Sequence, residues 1–337
     1  MLQISVLKKK GLDIKEAVVL YNGVYRESLA DFFKSCSVLY GFTYLKDINF
    51  DIQPRSLSVY DLFKKLVFNR CEIDKQIEDR FPILLSLRKI DVLITSIRVK
   101  MFSDIVLLSF LNPKRVVYTA DGVIDFFPKR DFKRFNYLYL REYLKRFPIK
   151  EIVYSPFYLK NDVERIGVYK KIDCTPVFKE MLKLNLAKEF EYTFLKGKVG
   201  GVILSQHYHL HEGIAFEDDV NYYFQMIEFA LKQDSEGVIL FKPHPRDLNE
   251  KIERIKMFNN SRVLVVDDKF KALPIEVFSS YFKNDNTLFL TGNSSAPLYF
   301  KNTNRVISIS STIYLHKALR MRIQNFAHNY NIDYVEL

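Results

Sequence analysis

The chain has 337 residues, which makes two domains of roughly 150 residues the first expectation. Hydrophobic residues make up 48% and charged residues 27%, an ordinary balance for a soluble globular protein with enough apolar material for two cores. The net charge of +11 admits nucleic acid, an anionic membrane surface or an acidic substrate as partner. Lys and Arg are spread along the chain in small clusters such as Lys8-Lys9-Lys10, Lys129-Arg130 and Lys133-Arg134. No zinc finger, helix-turn-helix signature or RNA-binding aromatic motif accompanies them, so nucleic acid is set aside. Glycine is scarce, and neither GxGxxG nor GxxxxGK[ST] occurs. Cys36, Cys71 and Cys174 are too few and too widely spaced for a disulfide framework or a metal knuckle. The first residues, MLQISVLKKKG, are too short and polar for a signal peptide, and no stretch reaches the ~20 apolar residues of a membrane span. A cytoplasmic protein is expected, peripheral at the inner face of the plasma membrane.

In chain order, Ala17–Tyr21 reads as a buried strand, Glu27–Lys34 as a helix, Ser37–Tyr44 as a second strand and Tyr60–Phe68 as a helix. Asp91–Ile97, Arg115–Thr119 and Lys150–Tyr154 read as further strands. Short β-rich runs separated by helical segments indicate βαβ units and a parallel sheet. The charged stretch 161–198 reads as a helical connection. Alternation then resumes with strands at Gly201–Ser205, Gly237–Lys242, Arg262–Val266, Thr287–Leu290 and Arg305–Ser308, and helices at Val220–Leu231 and Ile275–Phe282. The expected fold is α/β: two doubly wound Rossmann-like domains, 1–160 and 199–337, facing across a cleft in the GT-B arrangement. Ligands in such sheets sit at the carboxyl ends of the strands.

Several motifs fall at such ends. Lys242-Pro243-His244-Pro245-Arg246 follows the strand GVILF. Pro243 and Pro245 hold the backbone extended, fixing His244 between two cations, as a leaving phosphate requires. Gly292-Asn293-Ser294-Ser295-Ala296-Pro297 follows TLFL; small hydroxyl residues opening a helix suit an anion and serve equally as an N-cap. In Leu273-Pro274-Ile275-Glu276, Pro274 suits a first helical turn. Glu276 could accept ribose hydroxyls or simply favour the helix N-terminus. Asp121-Gly122 follows RVVYT, where a carboxylate could act as general base, although Asp-Gly is also a common turn. The run Ser205–Gly213, SQHYHLHEG, carries three alternating histidines, but with no Cys nearby one strand face does not complete a tetrahedral metal shell.

Together, Asp121-Gly122, His244-Pro245 and Ser294-Ser295, in that order, resemble the acidic-Gly, HP and Ser-Ser motifs of bacterial GT-B sialyltransferases. The resemblance is in particular to the lipooligosaccharide sialyltransferase and capsular polysialyltransferase families. LSQ before an acidic-Gly pair, KPHPRD and LPIEVF add to the resemblance, which is good from Gly201 to Phe300 and thin before Arg115. It implies an inverting, metal-independent transfer of sialic acid from CMP-sialic acid to a cell-surface glycan, with no cofactor. His244 would serve the CMP phosphate, with Ser294 and Ser295 holding it and Lys242 adding charge. Glu276 would bind the ribose, with Gln206, Pro243, Pro245, Arg246, Pro274 and Ile275 also on the donor side. The family has two acids before the Gly, whereas Ala120 precedes Asp121 here, so either Asp121 or Glu212 of His211-Glu212-Gly213 is the base. A CMP-Kdo or CDP-glycerol transferase is the nearest enzymatic alternative, and a non-catalytic basic membrane- or nucleic-acid-binding protein the alternative of another class. The sequence leaves acceptor, linkage and oligomeric state open, a homodimer included.

Overall fold

The computed structural model describes residues 1–20, 27–45, 70–88, 90–96, 110–119, 153–155, 169–234, 236–283 and 286–337. Two compact units emerge: Met1–Tyr25 with Phe42–Cys174, and Arg26–Gly41 with Thr175–Leu337.

In the first unit, strands β1 (Val18–Leu20) and β2 (Thr43–Leu45) form a parallel pair with Val18 opposite Thr43. A separate four-stranded parallel sheet runs β3 (Val92–Ser96), β4 (Arg115–Thr119), β5 (Val153–Ser155) and β6 (Tyr169–Lys171) in chain order. Ile77, Leu84, Phe110 and Leu111 form an apolar cluster. The expected strand Ser37–Tyr44 is corrected: residues through Tyr40 continue the helix Glu27–Tyr40, which groups with the second unit, and only Thr43–Leu45, in the first, is extended. Phe32 and Cys36, four residues apart, are buried on one face of this helix. The stop signal is Gly41, at φ +79° just past the helix end, where a side chain would be strained. The expected helix Tyr60–Phe68 lies outside the described residues.

Stretch 161–198, read as a connection, is divided between the units. β6 pairs with β5, whereas the helices Thr175–Met181 and Asn185–Phe194 group with the second unit. There Phe190 stacks on Phe278 and meets Phe270 edge-on. Such ring pairs add about 0.5–1.5 kcal/mol each beyond the area they bury.

The second unit is built on six parallel strands: β7 (Val199–Leu204), β8 (Val238–Lys242), β9 (Val263–Val265), β10 (Leu288–Thr291), β11 (Val306–Ser310) and β12 (Asp333–Glu336). Their order across the sheet is β12-β11-β10-β7-β8-β9. The chain starts in the middle, winds outward through β8 and β9, returns to β10 and winds out the other way. This is the doubly wound order, and its switch point lies between β7 and β10. The fold is α/β. β7, β10 and β11 are buried throughout, as central strands of a parallel sheet are. The helix Phe216–Gln233 buries Val220, Tyr223, Ile227 and Ala230 against the sheet at three- and four-residue spacing. Among the elements that were not expected are the helix Asn249–Lys256, the helix Lys317–Tyr330, the short helix Tyr208–His211 and the edge strand β12. The expected helix Ile275–Phe282 is a 3₁₀ turn, Ile275–Phe278, followed by one α turn.

Gly292, just past β10, is fixed by close approach. A Cβ there would collide with the Tyr208 hydroxyl and come within 3.1 Å of that of Tyr222. Both hydroxyls are anchored: Tyr208 donates to Asn293 Oδ1 at 2.8 Å and Tyr222 to the Ile309 carbonyl at 2.6 Å. Gly292→Ala should therefore cost about 1–3 kcal/mol by overpacking. Urea denaturation checks this, and an unchanged or raised midpoint would show that the hydroxyls give way freely.

Candidate active site

The carboxyl ends of β7, β8 and β10 bring together most of the residues singled out in the sequence. After β8 the chain turns at once: the Asp247 N–H donates to the His244 carbonyl at 2.9 Å, with Pro245 at the second position of the turn. Asp247 closes the turn from the other side, Oδ2 accepting from the His244 N–H at 2.8 Å. His244 Nδ1 accepts from the Arg246 N–H at 3.0 Å. A ring nitrogen that accepts carries no proton, so neutral His244 holds its proton on Nε2. Burial pushes the His244 pKa well below the usual 6.5, with His207, Arg246, Lys242 and Lys251 acting in the same direction. At neutral pH the ring is a hydrogen-bond donor and not an imidazolium. Pro243 is buried, Pro245 half-buried, and Arg246 exposed at the rim.

Beneath this turn lies a buried ionic group. Lys251 Nζ, on the helix Asn249–Lys256, donates to Asp219 Oδ2 at 3.0 Å, Asp247 Oδ1 at 3.2 Å and the Gln206 carbonyl at 2.7 Å. All three ionic side chains have no exposed surface. The ammonium also sits 4.2 Å from the centroid of the Tyr223 ring. Gln206, which follows β7, is held a second time where its N–H donates to the Tyr223 hydroxyl at 2.6 Å. Asp219 additionally binds His209 Nδ1. The loops after β7 and β8 are thus fastened to one buried cation. Asp219, Asp247 and Lys251 were not singled out from the sequence, though a signal existed. Asp219 sits four residues before Tyr223, on the apolar stripe of its helix, and Asp247 and Lys251 are spaced i, i+4.

Other residues take places that their sequence positions do not suggest. Lys242 is buried, and its ammonium donates to the Lys271 carbonyl at 2.8 Å and the Pro243 carbonyl at 3.3 Å. Burial pulls its pKa down to about 7, with the Glu276 charge opposing. Lys242 therefore braces the strand end from within. Glu276, in the 3₁₀ turn that follows Pro274, is half-exposed; desolvation raises its pKa and Lys242 restrains the rise. Ile275 is buried. Ser294 and Ser295 are half-exposed and precede a 3₁₀ turn, Ala296–Tyr299, where an α-helix start was expected. The Ser294 N–H donates to Thr291 Oγ1 at 3.0 Å, and Ser295 makes no side-chain cap. Glu212 Oε1 is bound by Arg322 Nη1 at 2.6 Å, and its carbonyl by His316 Nε2 at 2.8 Å, which fastens it to the helix Lys317–Tyr330 and its N-cap. Asp121, with Ala120 and Gly122, lies outside the described residues. Among the described residues no group of three or more His, Cys, Asp or Glu is placed to hold a metal, and no helix is long and apolar enough to cross a membrane.

Residues 81–312 match the family model for alpha-2,8-polysialyltransferase (POLYST). This chain belongs to the alpha-2,8-polysialyltransferase family. It is accordingly a sialyltransferase, a class that takes its sugar from a nucleotide donor and delivers it to a glycan. No curated protein matches the chain. Among solved structures, the S. aureus MnaA–UDP co-structure superposes with a TM-score of 0.52 at 11% identity, covering 91% of this chain and 74% of that one. A UDP-GlcNAc 2-epimerase from Neisseria meningitidis bound to UDP-GlcNAc gives a TM-score of 0.48 at 12% identity, covering 89% and 80%. At this identity the MnaA likeness is one of fold.

The depressed pKa of His244 in this sialyltransferase carries a stability consequence. Below about pH 6.5 the unfolded chain binds a proton that the folded histidine refuses, so stability is lost as pH falls through that value. His244→Asn keeps an acceptor for the Arg246 N–H and removes the titration. Urea midpoints at about pH 7.5 and 5.5 should show wild type losing ground to the variant at the lower pH. A difference that does not change with pH would contradict a lowered His244 pKa.

Proposed function

We propose that this family member uses CMP-sialic acid and extends an α2,8-linked sialic acid polymer, with inversion and without a metal. His244 supports this most directly. A neutral imidazole with its proton on Nε2, at a strand end near the switch point, suits a developing phosphate charge. Its Nε2–H hydrogen-bonds a phosphate oxygen of CMP as the glycosidic C–O bond lengthens, and charge accumulates there while the sugar becomes oxocarbenium-like. The hydroxyls of Ser294 and Ser295 hold the same phosphate, and the exposed Arg246 supplies the cation that Lys242 cannot. Glu276 receives the ribose hydroxyls, with Lys242 beneath it keeping its carboxylate available. Gln206, Pro243, Pro245, Pro274 and Ile275 shape the donor side.

Asp121 serves as the base that takes the proton of the acceptor hydroxyl. It follows β4, in the first unit, and the carboxyl ends of such parallel strands are where ligands sit. Glu212 is the weaker candidate because Arg322 already occupies its carboxylate. A growing sialic acid chain is a polyanion, and the net charge of +11 suits both that acceptor and an anionic inner membrane surface where capsule or lipooligosaccharide would be assembled.

A donor screen that follows nucleotide release tests the proposal. CMP-sialic acid should support transfer while CMP-Kdo, CDP-glycerol and UDP-sugars do not, and activity should persist in EDTA. Asp121→Asn should lose on the order of 10²–10⁴ in rate, as removal of a general base does, with Glu212→Gln near wild type. Transfer from a different donor refutes the donor assignment, and an inactive Glu212→Gln beside an active Asp121→Asn moves the base to the second unit.

A further inference from the structure

One more titratable ring lies against His244. His207 follows β7, and its centroid is 4.2 Å from that of His244, with the planes at 39°. Both rings are partly exposed. They rise from neighbouring strands, β7 and β8, whose ends are in register at Leu204 and Lys242. Neither backbone is loose. Gln206, immediately before His207, is held by Tyr223 and Lys251, and His244 is held by Asp247. The two imidazoles are therefore kept against one another, at a tilt, by the same buried cation.

The charged and titratable groups near the pair come from four elements. β8 and its turn supply Lys242, Arg246 and Asp247, and the helix Asn249–Lys256 supplies Lys251. The helix Phe216–Gln233 supplies Asp219, and the short helix Tyr208–His211 supplies His209. Asp219 and Asp247 are both engaged by Lys251, so the pair has cations beside it and no uncommitted carboxylate among these groups. A proton on His244 is opposed by burial, by His207 and by Arg246, Lys242 and Lys251. A phosphate dianion set against the two rings reverses that balance.

We propose that His207 and His244 form a proton-coupled phosphate clamp. Binding a nucleotide phosphate draws one proton from solvent onto the imidazole pair, where it is shared with the phosphate oxygens. Departure of the nucleotide returns that proton to the buffer, and no bond to phosphorus is made or broken. The clamp rests on the reading that this site binds CMP. It adds His207 as a binding residue and makes nucleotide affinity fall as pH rises.

Titration calorimetry of the full chain with CMP at about pH 7, in buffers of low and high ionisation enthalpy, measures the proton directly. Wild type should take up about one proton per CMP bound, and none with cytidine, which lacks the phosphate. His207→Asn and His207→Gln should each weaken CMP by about tenfold and abolish the uptake, with thermal midpoints near wild type. CMP binding without proton uptake in the wild type overturns the clamp, as does uptake that survives in both His207 variants. Failure of CMP to bind the wild type at all is a different result: it removes the functional reading, and the clamp with it.

Discussion

Lys251 places an ammonium where no water reaches it, between the carboxylates of Asp219 and Asp247 and under the Gln206 carbonyl. Stripping such a charge of water costs several kcal/mol, which only close, complete pairing offsets. Two carboxylates, a carbonyl and the face of Tyr223 provide that pairing. The same saturation makes the geometry specific, because each partner belongs to a different part of the chain. Asp219 comes from the helix after β7, Asp247 from the turn after β8, and Gln206 from the loop after β7. Loss of the cation leaves two carboxylates buried together, a change worth about 3–5 kcal/mol.

What the site does follows from that tie. The parallel sheet delivers strand ends to one edge but leaves the loops beyond them undetermined. Lys251 fixes two of these loops, and the Tyr208–Asn293 hydrogen bond joins the third, after β10, to the first. His207, His244 and the serine pair thereby share one edge near the switch point. Lys242 and Lys271 extend the same construction outward. Lys242 braces the Lys271 carbonyl, and Lys271 reaches the Asp247 carbonyl at 3.0 Å. Three lysines that would ordinarily face solvent are built into the interior of this half of the molecule.

The sheet of the second unit was legible because strands buried on both faces read as short apolar runs, as VILF and LFL do. The HP and Ser-Ser segments were legible because they follow such runs directly. The buried ionic group was not, for a physical reason. An acid in the first turn of a helix has a local explanation in the helix dipole, and a lysine spaced four residues from an aspartate has one as a surface pair. Only long-range packing reveals that both face inward. Lys242 misled for the same reason, since a cation beside a phosphate motif reads as a ligand until its ammonium is found on carbonyls. Apolar and β-branched residues at Ser37–Tyr44 suggested a strand, whereas the helix that starts at Glu27 runs on to Tyr40 and stops at Gly41.

Hydrogen exchange on Lys251→Met addresses this account most directly. If Lys251 ties the two loops together, the amides of Gln206–Tyr208 and of His244–Asp247 lose protection together, while those of β10 and β11 keep theirs relative to the new global stability. Protection unchanged in either loop, or lost only within the helix that carries residue 251, would contradict it.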